Sequence, residues 1–131
     1  MSISAAIVKR IKELPTLSVV VSRLLEVTRD PTTGAADIEA VFASDPALTA
    51  NVLRLANSPL LGVVGGVRSV RHAVVVLGAK RLFDLAAGVG LSRTLPAQLP
   101  GYDVSAHTLF QHCVAVAVLA EKLAIEAGKP M

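Results

Sequence analysis

The sequence is poor in the residues that several kinds of protein chemistry require. Its 131 residues include one cysteine, no tryptophan, one tyrosine and three phenylalanines. A single cysteine can neither close an intrachain disulfide nor build a thiolate metal cage, and this favours a reducing, cytoplasmic compartment. So few aromatic side chains provide no platform on which nucleic-acid bases could stack, and we do not expect binding of that kind.

Long uninterrupted apolar runs are also missing. The longest, residues 113–120, is well short of the roughly 18 residues that cross a bilayer. Residues 1–14 mix Lys9, Arg10, Lys12 and Glu13 with apolar residues and lack the apolar core of a secretory signal. We therefore expect no membrane segment. Because 53% of the residues are hydrophobic and the mean hydropathy is +0.60, residues 1–131 are predicted to form one globular domain.

Acidic residues are absent from the middle of the chain. The net charge is +3, but residues 46–83 contain five cations and no acid. This basic block is either a solvated face, a seam that meets acidic residues elsewhere, or a surface for anions or an acidic partner. Its cations are Arg54, Arg68, Arg71, Lys80 and Arg81.

The pattern of apolar residues predicts an all-α fold, a compact bundle of about six to seven short helices followed by a long one. Helices are expected over residues 4–14, 19–29, 35–43, 46–56, 70–77, 79–94 and 104–127. Ser18, Asp45, Ser69 and Asp103 are the predicted N-caps. The β-branched run 74–76 favours a strand by itself, but the sequence offers no second strand to pair with it, so we predict a helix.

The last predicted helix is apolar on every side between residues 113 and 120. Such a helix is either central to the fold or covered on one face from outside this chain, by self-association or by a further C-terminal portion. Cys113 opens this run and is predicted to be a core residue. Glycines 88 and 90 in the preceding helix suggest that another helix approaches closely there.

The order of short motifs along the chain resembles the HDOD domain. The motifs are Ser-Asp-Pro-Ala-Leu at 44–48, Leu-Ala-Asn-Ser at 55–58 and Val-Arg-His-Ala-Val-Val-Val-Leu-Gly at 70–78. The resemblance implies a helical, bacterial, regulatory domain related to the HD metal-dependent phosphohydrolases. It also places Asn57 in the family's signature, where we consider a structural role at the helix end and a binding role.

His112 falls where HD phosphohydrolases carry their first metal-binding histidine, but the sequence stops before the rest of that ligand set. We therefore interpret residues 1–131 as the N-terminal portion of an HDOD domain, with helix 103–127 leading into an absent HD-like half. His112 is expected to be a partly buried histidine that bonds to the backbone. No catalytic residue, metal or cofactor is assigned.

These observations predict a non-enzymatic signal-transduction module that binds other signalling protein domains, with homo-oligomerisation possible in principle. The predicted partner-binding residues are Arg54, Asn57, Arg68, Arg71, Lys80 and Arg81, together with the apolar loop 60–67. One alternative is a remnant HD-type phosphohydrolase or nucleotide-binding domain completed by a segment absent from this chain. Another is nucleic-acid binding through the block 46–83, which we do not favour because no recognition helix is evident.

Overall fold

Six α-helices and one short 3-10 helix make up most of the chain between residues 18 and 129. The structure, a computed structural model, describes residues 5, 18–95, 97–98 and 101–129. The helices are α1 (Val19–Arg29), α2 (Ala35–Ala43), α3 (Pro46–Ala56), the 3-10 helix (Pro59–Leu61), α4 (Val70–Leu77), α5 (Ala79–Ser92) and α6 (Ala106–Glu126). The all-α prediction is confirmed. The helix predicted over residues 4–14 lies, apart from Ala5, outside the described residues.

Side-chain caps determine where the helices begin. The Ser18 hydroxyl accepts a hydrogen bond from the amide of Val21 at 3.3 Å, and the Asp45 carboxylate accepts one from Leu48 at 2.9 Å. Each cap satisfies an amide that has no partner within its helix. Ser69 caps α4 in the same way. These three caps were predicted correctly, whereas the predicted Asp103 cap was wrong.

The cap of α6 is Ser105, whose hydroxyl accepts from the Thr108 amide at 3.2 Å. The helix therefore begins two residues later than the periodicity indicated. Val104 and Asp103 remain outside it, both exposed.

The core lies where α5 packs on α1, α3 and α4, with α2 closing the other side. Its largest fully buried side chains are Val21, Leu24, Phe42, Leu48, Val52 and Leu82. The residues at 74–76 are helical as predicted, because α4 buries Val70 and Ala73 against this core and leaves Val75 in solvent. Within the described ranges the only β-type pairing is an isolated bridge between Gln98 and Ser105.

Gly90 allows α1 to approach α5 closely. A Cβ atom added there would lie 3.2 Å from the Val21 side chain, which is tighter than ordinary van der Waals contact. At Gly88 the same atom would lie 4.0 Å from the Phe110 ring. The predicted close approach is therefore confirmed at Gly90 and is looser at Gly88.

Helix α6 lies on the outside of the bundle and buries no residue completely. It contacts α5 and the 3-10 helix through an inner edge that includes Phe110, Val114 and Val118. The prediction that Cys113 is a core residue was wrong, because Cys113 is exposed. Of the two alternatives for this helix, the described structure excludes a central position.

The outward face of α6 is strongly apolar, with Leu119 and Leu123 58% and 65% exposed. By length and composition alone α6 could cross a bilayer, since an 18-residue stretch of it has a mean hydropathy of 1.5. No residue of that stretch is buried. A single helix of this kind is weak evidence for a membrane, because helices of water-soluble proteins meet the same criteria. The length of the uninterrupted run 113–120 did not predict this property, because Glu121 and Lys122 end the run.

Candidate functional site

Three of the five cations of the basic block are neutralised by carboxylates. Arg71 of α4 donates to Glu39 of α2 at 2.7 Å, and Lys80 lies 3.2 Å from Asp84 one turn along α5. Arg81 of α5 forms an ion pair with Glu121 of α6. For these three residues the interpretation of the block as a seam that meets acidic residues agrees with the structure.

Arg54 and Arg68 have no carboxylate partner in the described part of the chain. The Arg54 guanidinium donates to the Asn51 side-chain oxygen at 2.6 Å, and that amide is uncharged. Arg68 is exposed and forms neither a hydrogen bond nor an ion pair with any described residue. The uncompensated positive charge of the block is therefore concentrated on these two residues.

Asn57 connects the end of α3 to the loop that follows the 3-10 helix. Its side-chain NH2 donates to the carbonyl of Val67 at 2.8 Å, and its side-chain oxygen accepts from the Val67 amide at 2.6 Å. The NH2 also donates to the Leu53 carbonyl at 3.0 Å. Because the amide is fully engaged inside the chain, the structure places Asn57 in the structural role that we considered for it.

The loop fixed by Asn57 presents an apolar tip. Val67 is 5% exposed, whereas Val64, three residues earlier, is 98% exposed. We call residues 60–68 the docking loop. It begins with the half-exposed Leu60 and ends with Arg68, so an apolar tip and a free cation are carried by one segment with one end held in place.

A cleft of about 380 Å³ lies between α3, α5 and α6. Its apolar wall consists of Leu55, Leu60, Val89, Phe110 and Val114. Its polar lining consists of Asn51, Arg54, Ser58, Ser92, Arg93, His107 and Gln111. A second cleft of about 410 Å³, on the other side of Phe110, is more apolar and is flanked by the Arg81–Glu121 ion pair.

Most of the polar residues of the first cleft were missed in the sequence. Arg93 lies outside the basic block, and His107 and Gln111 lie on a helix whose sequence drew attention only to His112 and the apolar run. Residues from three helices meet here, so no spacing along the chain signals the cleft. Among the polar residues that line the cleft, only Arg54 was predicted to bind a partner.

Arg93 also interacts with the cap of α3. Its guanidinium lies 3.2 Å from the Asp45 carboxylate. The pKa of Asp45 is lowered mainly by the hydrogen bond from the Leu48 amide and further by Arg93, although partial burial opposes both effects. Asp45 is therefore a charged cap that links α3 to the end of α5.

The histidines form no shared site within the described residues. His72, His107 and His112 are all exposed, and no group of three or more His, Cys, Asp or Glu residues in that part of the chain could hold a metal ion. The prediction that His112 is partly buried and bonded to the backbone was wrong, because it lies on the outward face of α6.

Comparison with known proteins identifies related chains. The model of the HDOD domain family matches residues 14–131. An uncharacterized protein of Treponema pallidum (strain Nichols) is 33% identical over 96 residues, which are 71% of this chain and 18% of that protein.

Two crystal structures are similar in fold. The first, a "Putative phosphohydrolase" from Shewanella amazonensis SB2B, has a TM-score of 0.68 and 29% identity, covering 95% of this chain and 43% of its own. The second, a "Putative signal transduction protein" from Marinobacter aquaeolei VT8, has a TM-score of 0.52 and 35% identity, covering 70% of this chain and 21% of its own. The chain thus spans less than half the length of each relative.

Proposed function

Because this chain belongs to the HDOD domain family, we propose that it is a non-enzymatic regulatory module of bacterial signal transduction, which acts in the cytoplasm by binding another signalling protein. The proposed partner presents an acidic surface with an apolar depression. The observation that carries this proposal is the docking loop, whose apolar tip is exposed while its far end is fixed by Asn57.

Holding one end of the loop lowers the conformational entropy that is lost when a partner binds the tip. Val64 and Leu60 would supply apolar contact area, and its removal from water favours association. Arg54 and Arg68, which lack carboxylate partners in the described structure, would favour acidic partners and accelerate encounter. The ion-paired Arg71, Lys80 and Arg81 would contribute less, because their charges are already compensated.

The experiment compares the wild-type protein with the double variant Val64→Asp/Arg68→Glu as baits in a quantitative pull-down from the source cells. Both side chains are exposed, so the double variant is expected to fold normally. The matched control is Arg29→Glu, which reverses an exposed charge on α1, away from the docking loop.

We expect at least one protein to bind to both the wild type and Arg29→Glu and not to the double variant. Salt at 0.5 M should release this protein from the wild-type bait. Direct binding is then measured between the purified proteins, with an expected loss of at least tenfold in the double variant. Indistinguishable bound sets for the three baits would refute the proposal. Light scattering of the three proteins shows whether the partner is a second copy.

A second candidate function is a phosphohydrolase whose metal ligands are completed by a segment absent from this chain. It is favoured by the similarity to the Shewanella protein named a phosphohydrolase. Because the remaining ligands would lie outside residues 1–131, the test is elemental analysis of the purified protein together with that segment, with His112→Ala compared with the control His72→Ala. A stoichiometric transition metal lost only in His112→Ala would support this function over the first, and a folded, metal-free protein would count against it.

The basic block also raised nucleic-acid binding as an alternative. Pairing of three of its five cations with carboxylates leaves little charge to release counterions from a phosphate backbone. We therefore do not propose this function. A gel shift with duplex DNA at low salt measures it directly.

A further inference from the structure

The cleft between α3, α5 and α6 has the dimensions of a small-molecule site. Its volume of about 380 Å³ falls within the range of roughly 300–1,000 Å³ that is common for ligand pockets. The wall is formed by aliphatic side chains and the ring of Phe110, so a flat apolar group could replace water against it. The docking loop contributes only Leu60 to this lining.

The charge at the cleft has one sign. Arg54 and Arg93 line it, whereas no carboxylate is among the lining residues. Arg93 shares its charge with Asp45, which lies 3.2 Å away and outside the lining, whereas the hydrogen-bond partner of Arg54 is the neutral Asn51. Arg54 therefore carries the uncompensated positive charge of the cleft. Guanidinium groups form paired hydrogen bonds to phosphate or carboxylate oxygens, so the cleft favours an anion.

Further polar groups complete the lining. Gln111 and His107 are exposed on α6, and their side chains have no hydrogen-bond partner among the described residues. Ser58 also lines the cleft. These groups can donate to or accept from the uncharged polar atoms of a ligand. An apolar wall, a few convergent polar groups and two cations are the features of a site for an amphipathic anion.

We propose that this cleft binds a small phosphate monoester with a flat aromatic body, of the size and chemistry of a nucleoside monophosphate. A phosphate monoester carries about two negative charges at neutral pH. It therefore matches the guanidinium groups of Arg54 and Arg93 better than a ligand with a single carboxylate would. The aromatic body would lie against Phe110 and its aliphatic neighbours. This site is separate from the proposed protein docking surface except for Arg54 and Leu60, and it does not depend on that proposal.

The test is isothermal titration calorimetry of the whole chain with adenosine 5′-monophosphate. Adenosine lacks the anion, and inorganic phosphate lacks the aromatic body. The monophosphate is expected to bind at least tenfold more tightly than either, and guanosine and cytidine monophosphates report whether the base is discriminated. Arg54→Gln and Arg93→Gln are each expected to weaken binding by about tenfold.

Gln111→Trp provides a test that leaves both cations in place. The bulky side chain on the exposed surface of α6 would fill the cleft and abolish binding, while circular dichroism verifies that the helices are unchanged. Arg68→Gln is the matched control for Arg54→Gln and Arg93→Gln. It removes an exposed arginine outside the lining, so it should bind the monophosphate as the wild type does.

Three results would overturn the proposal. They are no binding of any of the three monophosphates, binding no tighter than that of inorganic phosphate or adenosine, or binding that Arg54→Gln, Arg93→Gln and Gln111→Trp leave unchanged. Because Val64→Asp/Arg68→Glu alters no residue of the cleft, loss of protein docking and loss of ligand binding can be separated.

Discussion

Replacement of Asn57 by alanine tests the physical role of the side chain that joins α3 to the docking loop. The change removes two hydrogen bonds to the backbone of Val67, which is almost fully buried, and one to the Leu53 carbonyl. The Leu53 carbonyl still accepts from the Asn57 backbone amide at 3.1 Å, so its loss is small. The Val67 amide and carbonyl would both lose a partner.

Each lost bond costs about 1 kcal/mol net, and more where water cannot reach the group that is left without a partner. We therefore expect Asn57→Ala to lower the free energy of unfolding by about 2 kcal/mol, or about 6–10 °C in Tm for a domain of this size. Urea unfolding followed by circular dichroism measures the change. Asn57→Asp should also destabilise, because its carboxylate can still accept from the Val67 amide but cannot donate to the Val67 carbonyl and repels that oxygen.

The control is Ser58→Ala, whose hydroxyl makes only a long bond of 3.4 Å to the Leu60 amide. It should change the unfolding free energy by less than about 0.5 kcal/mol. If Asn57→Ala were as mild as Ser58→Ala, the bonds to Val67 would not hold the loop. Our account of the docking loop would then be wrong.

Three further predictions, based on five substitutions, test other parts of the account. Gly66→Ala should destabilise the protein more than Gly65→Ala does. Both glycines have a positive φ, but only at Gly66 would the new Cβ meet Asn57, at 3.2 Å. Thermal unfolding of the two variants measures the difference, and equal losses of stability would contradict the prediction. Gly90→Ala should destabilise the protein by about 1–3 kcal/mol, because the new methyl group would press on Val21. Gly88→Ala should be neutral or stabilising by up to about 1 kcal/mol. The opposite order of stabilities in urea unfolding would refute the packing described for α5. The pKa of Asp45 is lowered in the folded protein, so its stabilising effect is complete above about pH 4 and is lost as the pH falls through the lowered pKa. Asn is also a good N-cap, so the free energy of unfolding should fall less in Asp45→Asn than in the wild type between pH 6 and pH 2. Parallel curves of unfolding free energy against pH for the two proteins would contradict this.

Local rules were sufficient to predict the helices of the bundle. Ser18, Asp45 and Ser69 each stand directly before an amphipathic segment, and a cap followed by a periodic apolar face requires no information from distant residues. The same rules failed at the start of α6, where Asp103 and Ser105 are both good caps. The chain uses Ser105, and no feature of the local sequence separates the two.

Burial in α6 could not be predicted, because it depends on what lies beside the helix. Cys113, at the start of the apolar run, and His112, just before it, are both exposed in the described part of the chain. The cleft was missed for a related reason, since Arg93 and His107 meet only after α5 and α6 have packed. Asn57 differs from these residues, because its position at the end of α3 suggested the structural role in which the structure places it.

Photo-crosslinking in the source cells tests most directly whether the docking loop recognises another protein. Benzoylphenylalanine at position 64 samples the exposed tip, and the same residue at the exposed position 29 samples the control surface of α1. Our account predicts a discrete cross-linked partner at position 64 that disappears with Arg68→Glu and is absent at position 29. No product at position 64 beyond those at position 29 would contradict it.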